Sequence, residues 1–276
     1  MIIEIKYRII GIILIACLMY SCATVPVTGR QQLNLIPTDT ILAMSFQQYD
    51  EFLKSHKLST NKEQTEMVIR VGMRIRNAVE QYFVANSMSD ALNNFNWEFN
   101  LVESDDVNAW CMPGGKVVVY TEMLTYTQNE AGLAVVMGHE IGHAVAAHGN
   151  ERMSHMLAAQ LGGMALGVAL TERPDETQKL WMMAFGLGAQ FGFILPYSRL
   201  HENEADRLGL TFMAMAGYDP NVAVQFWQRM AQQKGTKAPP EFMSTHPSDE
   251  TRIRNIKELI PGVMPYYENT KKTLRK

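Results

Sequence analysis

The sequence predicts an α+β domain, mostly helical with a small β-sheet. Two observations carry that expectation. Apolar residues recur at helical spacing over most of the chain, whereas only two short stretches read as strands. Composition adds a third. With 276 residues, 47% of them hydrophobic and 19% charged, the chain has an ordinary globular balance and enough material for a sizeable core. The formal net charge of −3 gives no footprint for a nucleic-acid partner.

Residues 1–21 stand apart from this average. Lys6 and Arg8 precede the apolar run "GIILIACLMYSC", which ends in the small residues Ser21 and Cys22. A positive region, a short apolar core and a small residue at the break make a secretory signal. The run is too short for a comfortable membrane span, although a single N-terminal anchor is the alternative. "LMYSC" resembles a bacterial lipobox, in which Cys22 receives lipid and becomes the mature N-terminus. The expected organisation is a signal peptide over 1–21, a lipid-anchored lead segment over 22–37, and one domain over 38–276. Ala23 rather than an acid follows the cysteine, which points to the outer membrane of a two-membrane bacterium.

Thr38 or Asp39 can cap a helix running toward Ser55, with Leu42, Phe46, Tyr49 and Leu53 on one face. Ser59 or Thr60 can start a second, in which Met67, Val71, Ile75 and Val79 recur at helical spacing. "NWEFNLVES" (96–104) places Trp97, Phe99 and Leu101 on one face of a strand. A Pro-Gly-Gly break then leads into a second strand, Val117–Tyr120. From Glu122 to His148 the pattern is helical again. Two apolar stretches, 156–170 and 181–196, flank a charged segment; each falls short of the about 18 residues that signal a span. A buried helical hairpin over the site is expected there, with a lid or membrane-facing element as the alternative.

The stretch "VVMGHEIGHAVAAHG" (135–149) carries the chemistry. His139 and His143 are four apart, so a helix places both imidazoles on one face, close enough to grip one ion. Neutral imidazole is a common zinc ligand. Glu140 can point at water beside that ion and serve as a general base. His148, five beyond His143, is read as a structural or surface histidine outside the site. A catalytic zinc site needs a third protein ligand and an open position. "YSRLHENEADRLGL" (197–210) is the best source. Glu202 and Asp206 share a helix face, so Glu202 can bind the metal while Asp206 accepts the spare N–H of a ligand histidine. Glu204 falls about 200° round that helix and should face elsewhere.

"HEIGH", "SRLHENEAD" and "STHPSDETRI" follow in the order seen in one zinc endopeptidase family. The chain resembles the family of the CAAX prenyl proteases, the Oma-type mitochondrial protease and bacterial periplasmic quality-control proteases. "PVTGRQQLNLIP" and "NAWCMPGGKVVVYTEML" are similar to its periplasmic lipoprotein branch. The resemblance implies a zincin-like metalloprotease domain holding one zinc per subunit. It implies His139, His143 and Glu202 as metal ligands, Glu140 as general base, and Asp206 as the acid behind a ligand histidine. It also places His246 near the metal, there to steady the oxyanion or to cap the zinc. The chain should lack the membrane-spanning helices of the CAAX enzymes and a C-terminal helical-repeat domain. Cys111 is expected to be a small buried hydrophobe, with a redox-sensitive thiol as the alternative.

The expected function is zinc-dependent hydrolysis of misfolded or unassembled envelope polypeptides, from a lipid anchor facing the periplasm. The strand Val117–Tyr120 is expected to pair with an extended substrate. The rival reading is a latent or non-catalytic zinc-binding lipoprotein with a chaperone-like role, its fourth metal position closed by His246.

Overall fold

The computed structural model describes residues 22–25, 28–171, 175–189, 195–232, 241–246 and 250–274. The expected signal peptide, 1–21, lies outside them, as does Pro247–Asp249 in the expected loop after His246. The lead segment forms a two-stranded antiparallel hairpin, β1 (Cys22–Thr24) and β2 (Gln31–Leu33). Helices α1 (Thr38–Ser55) and α2 (Lys62–Ala85) follow, then a 3₁₀ turn over Ser89–Leu92. The main sheet holds β3 (Glu98–Val102), β4 (Ala109–Met112) and β5 (Lys116–Tyr120). Helices α3 (Met123–Thr127), α4 (Glu130–Val145), α5 (His148–Ala169), α6 (Asp175–Ala189) and α7 (Leu195–Met215) come next. Helices α8 (Val222–Gln232), α9 (Glu241–Thr245) and α10 (Glu250–Leu274) complete the described chain. The mostly helical α+β architecture is the one expected.

The helical faces read from the sequence are the buried ones. Leu42 and Tyr49 of α1 are buried, and Val71, Ile75 and Val79 of α2 are fully so. The caps differ from expectation. Pro37 stands at the N-cap of α1 with no side-chain cap, because its ring has no acceptor to offer, although it fixes a φ compatible with the helix start. Asn61, not Ser59 or Thr60, caps α2 by accepting from the Gln64 N–H at 3.1 Å.

The sheet order is β3-β5-β4, with β3 parallel and β4 antiparallel to β5. β4 has no alternating pattern and was not expected as a strand. Its presence makes β5 the central strand, with Val117, Val118 and Val119 fully buried. Both hydrogen-bonding edges of β5 are therefore taken, and it cannot pair with a substrate. The strand with an edge to offer beside the site is β4.

The helix expected from Glu122 to His148 is two helices, α3 and α4, with α5 beginning at His148. Gln128 adopts φ 66°, and the Asn129 side chain accepts from Gly132 N–H at 3.0 Å to start α4. Ala147 adopts φ 56°, a left-handed conformation uncommon for a residue with a Cβ. That turn ends α4 and swings the start of α5 back toward it.

Helix α4 is buried almost throughout and packs on α7 at backbone contact. A Cβ on Gly138 would meet the Gly209 carbonyl oxygen at 2.9 Å, and one on Gly142 would meet that of Ala205 at 2.9 Å. A Cβ on Gly209 would meet the His139 backbone N at 2.8 Å. These contacts are with backbone, which cannot swing aside. Gly209→Ala should therefore part the two helices, lowering stability by about 1–3 kcal/mol and weakening any metal held between them. Thermal melting together with metal content checks this; unchanged values for both would contradict it.

The hairpin of α5 and α6 is not buried. Phe185 packs on Gly162 and Gly163, so the helices close on each other. Their outer faces stay open, with Met164 62%, Val168 76%, Trp181 56% and Met183 61% exposed. The apolar stretches fall on these helices, residues 190–194 of the second lying outside the described ones, but they carried no information about what covers them. No described helix is long and apolar enough to cross a membrane.

Candidate active site

The structure brings together His139 and His143 from α4, Glu202 from α7, and His246 just beyond α9. One donor atom from each lies within 4.8 Å of those of the others. Two atoms bound to one zinc at about 2.1 Å and at the tetrahedral angle lie about 3.4 Å apart. His139 Nε2 is 3.1 Å from His143 Nε2 and 3.3 Å from Glu202 Oε2, and His143 Nε2 is 3.3 Å from Glu202 Oε1. His246 Nδ1 is 3.1 Å from His139 Nε2 and 3.0 Å from both Glu202 oxygens. The donor set and its spacing fit a tetrahedral zinc, three donors plus His246 at the fourth corner.

Asp206, one turn beyond Glu202, lies 2.9 Å from His139 Nδ1. Accepting that N–H leaves the Nε2 lone pair for the cluster. Arg252 of α10 donates to Asp206 from Nε at 2.8 Å and from Nη2 at 2.7 Å, with Nη1 3.1 Å from Glu202. Its guanidinium lies 3.5 Å above the Trp227 ring. Arg252 is the site residue that sequence reasoning missed. Its only signal was its place in "STHPSDETRI", since its role depends on α10 docking against α7.

Burial sets the electrostatics, and the partners modify them. Burial pushes the His143 imidazole well below its ordinary pKa, favouring the neutral, metal-binding form. It would raise the Glu202 carboxyl, but hydrogen bonds from His139, His143 and His246 outweigh it and hold that group well below the carboxylate range. Burial would raise Asp206 as well; the Arg252 charge and the His139 hydrogen bond hold it down. Glu140 moves the other way. Burial raises its pKa, with His246 and His139 offsetting part of the rise. Glu140 Oε1 is buried and makes no hydrogen bond among the described residues.

A cleft of about 530 Å³ opens on this cluster. Ala109, Trp110 and Cys111 of β4 line one side, and Glu140, His143 and His148 another. Cys111 is half-buried, and its thiol, raised well above its ordinary pKa by burial and by Glu140, donates to the Met112 carbonyl at 3.6 Å. His148 lies outside the metal-binding group, as expected. It is neither remote nor on the surface, however. The Ala147 turn brings its Nδ1 to 2.8 Å from His143 Nδ1, and it is 4% exposed. Glu204 faces away from the cluster, as the helical angle required, and contacts His148 at 3.0 Å.

Two helices in backbone contact, presenting HExxH and an ENEAD acid to one tetrahedral position beside a small sheet, define a zinc metallopeptidase domain. A family model described as peptidase family M48 matches residues 73–260. The chain is 32% identical over 241 residues to the mitochondrial metalloendopeptidase OMA1 of Schizosaccharomyces pombe, covering 86% of this chain and 66% of that protein. It is 30% identical over 251 residues to the human mitochondrial metalloendopeptidase OMA1, covering 88% and 47%. The β-barrel assembly-enhancing protease of Escherichia coli is 28% identical over 172 residues, covering 61% and 35%. This chain spans less than two thirds of the length of those relatives. It belongs to peptidase family M48.

Proposed function

We propose that this chain is a zinc-dependent endopeptidase that hydrolyses misfolded or unassembled polypeptides of a bacterial envelope. The observation that carries the reading is the Glu140 Oε1 atom, buried, without a hydrogen bond among the described residues and 3.4 Å from His246 Nε2, beside a donor set spaced for zinc. A buried carboxylate oxygen left without a hydrogen bond is costly, which favours a catalytic use for it. The names of the relatives, metalloendopeptidases and a β-barrel assembly-enhancing protease, support the reaction and a polypeptide substrate.

His139, His143 and Glu202 would hold one zinc per chain. When bound, zinc polarises the scissile carbonyl and lowers the pKa of water at the site. Glu140 takes the proton of the attacking water and delivers it to the leaving amine. Its raised pKa suits both halves of that task, since a stronger carboxylate base also becomes a usable acid. Asp206, fixed by the two Arg252 hydrogen bonds, holds His139 in one tautomer. β4 offers its edge to an extended peptide, whose backbone is oriented without its sequence being read. Lipid on Cys22 would tether the domain to the envelope, facing the periplasm, and an intact Met1 terminus in mass spectrometry would rule that out. The test of the activity is a digest of an unfolded protein with and without chelator. Cleavage that persists in chelator would overturn it.

His246 sits at the fourth corner, a geometry that favours a cap over an oxyanion donor. The resting enzyme is then latent until substrate displaces His246. His246→Ala should raise turnover with zinc retained. A loss of turnover with zinc retained would assign the oxyanion role instead.

A further inference from the structure

We infer that His148 is a positioning residue for His143, and that the lead segment holds it in place through Glu204 and Arg30. This rests on the reading that His143 binds zinc through Nε2. In that reading its Nδ1 carries a proton and needs an acceptor. His148 Nδ1, at 2.8 Å, is that acceptor. A neutral His148 that accepts at Nδ1 carries its own proton on Nε2, and that N–H faces Glu204 Oε2 at 3.0 Å. Glu204 in turn accepts from Arg30 Nε at 2.9 Å and from the Thr28 hydroxyl. Each link then has one donor and one acceptor: His143 donates to His148 and His148 to Glu204, which also accepts from Arg30 and Thr28 of the lead segment.

Neighbouring groups hold the His148 ring as firmly as its nitrogens. His201 stacks on it with centroids 4.2 Å apart and planes 13° from parallel. His201 Nε2 lies 2.8 Å from Glu151, and Arg30 grips both Glu151 oxygens, at 2.8 and 2.6 Å. One guanidinium thus binds the acid behind His148 and the acid behind its stacking partner. Glu151, His148, His201 and Glu204 are all under a tenth exposed. The acids of "ENEAD" divide the work by helical angle. Glu202 faces the cluster, Asp206 serves His139 directly, and Glu204, on the far side, serves His143 through His148.

Zinc affinity, measured by competition with a chromophoric chelator on the full chain, tests this without relying on turnover. Groups behind a ligand histidine typically account for about 10–100-fold in metal affinity. His148→Leu and Glu204→Leu should each lose affinity in that range, and the double variant should lose no more than either one. Glu204→Gln, which keeps an oxygen to accept the His148 N–H, should recover most of the loss. Additive losses, or unchanged affinity in folded single variants, would overturn the relay. A second measurement needs no variant. In zinc-loaded wild type labelled with ¹⁵N-histidine, His148 should be protonated at Nε2 and bare at Nδ1; the opposite tautomer would overturn it. Zinc retained at wild-type affinity by His143→Ala would instead overturn the ligand assignment beneath it.

Discussion

Glu140→Gln should abolish peptide hydrolysis while zinc stays bound and the fold stays intact. Glu140 is not one of the four residues that converge on the metal position, so its loss leaves the donor set untouched. Glutamine is close to isosteric with glutamate and finds the same buried space. It cannot accept the proton of the attacking water. General-base catalysis contributes about 10²–10⁴-fold, and the loss should fall in that range. Metal content, thermal melting and digestion of an unfolded substrate, measured on one preparation, check the three parts together. An active Glu140→Gln enzyme would exclude this mechanism.

The second large effect is the loss of the metal. His139→Ala combined with Glu202→Ala removes one donor from each of the two helices in contact, leaving His143 and His246. Zinc should fall to background after mild dialysis, and proteolysis should go with it. Removing Glu202 also leaves Arg252 Nη1 without the carboxylate 3.1 Å away, although Asp206 still holds Nε and Nη2. The fold should therefore weaken but survive. Wild-type zinc content in this double variant would sink the assignment.

What could be read from the sequence was what depends on local spacing. His139, Glu140 and His143 fall within one helical turn and a half, so their shared face follows from the period alone. Glu202, Glu204 and Asp206 sort themselves by the same angle, two toward the cluster and one away. His246, far along the chain, was reached only through the family resemblance. Features that depend on distant packing escaped. β4 is a strand because β5 lies beside it, not because "AWCM" alternates. Val117–Tyr120 is central because β3 pairs with it in parallel from the other side. Arg252 and Arg30 are ordinary surface residues in sequence; each acquires its role by meeting acids on α7, Arg252 from α10 and Arg30 from the lead segment. The Ala147 turn, which brings His148 back to His143, falls on an alanine of "HAVAAHG", two residues before the glycine that would have signalled a break. The outer faces of α5 and α6 show the same limit, since their apolar pattern was legible and their exposure was not.

The central claim is that one zinc between α4 and α7 makes this chain a protease. The most direct measurement is a zinc titration of chelated, folded protein, following cleavage of an unfolded substrate. Activity should be absent at the start, rise with added zinc, and level off at one equivalent per chain. Chelated protein that remains folded and cleaves at the wild-type rate would contradict the account.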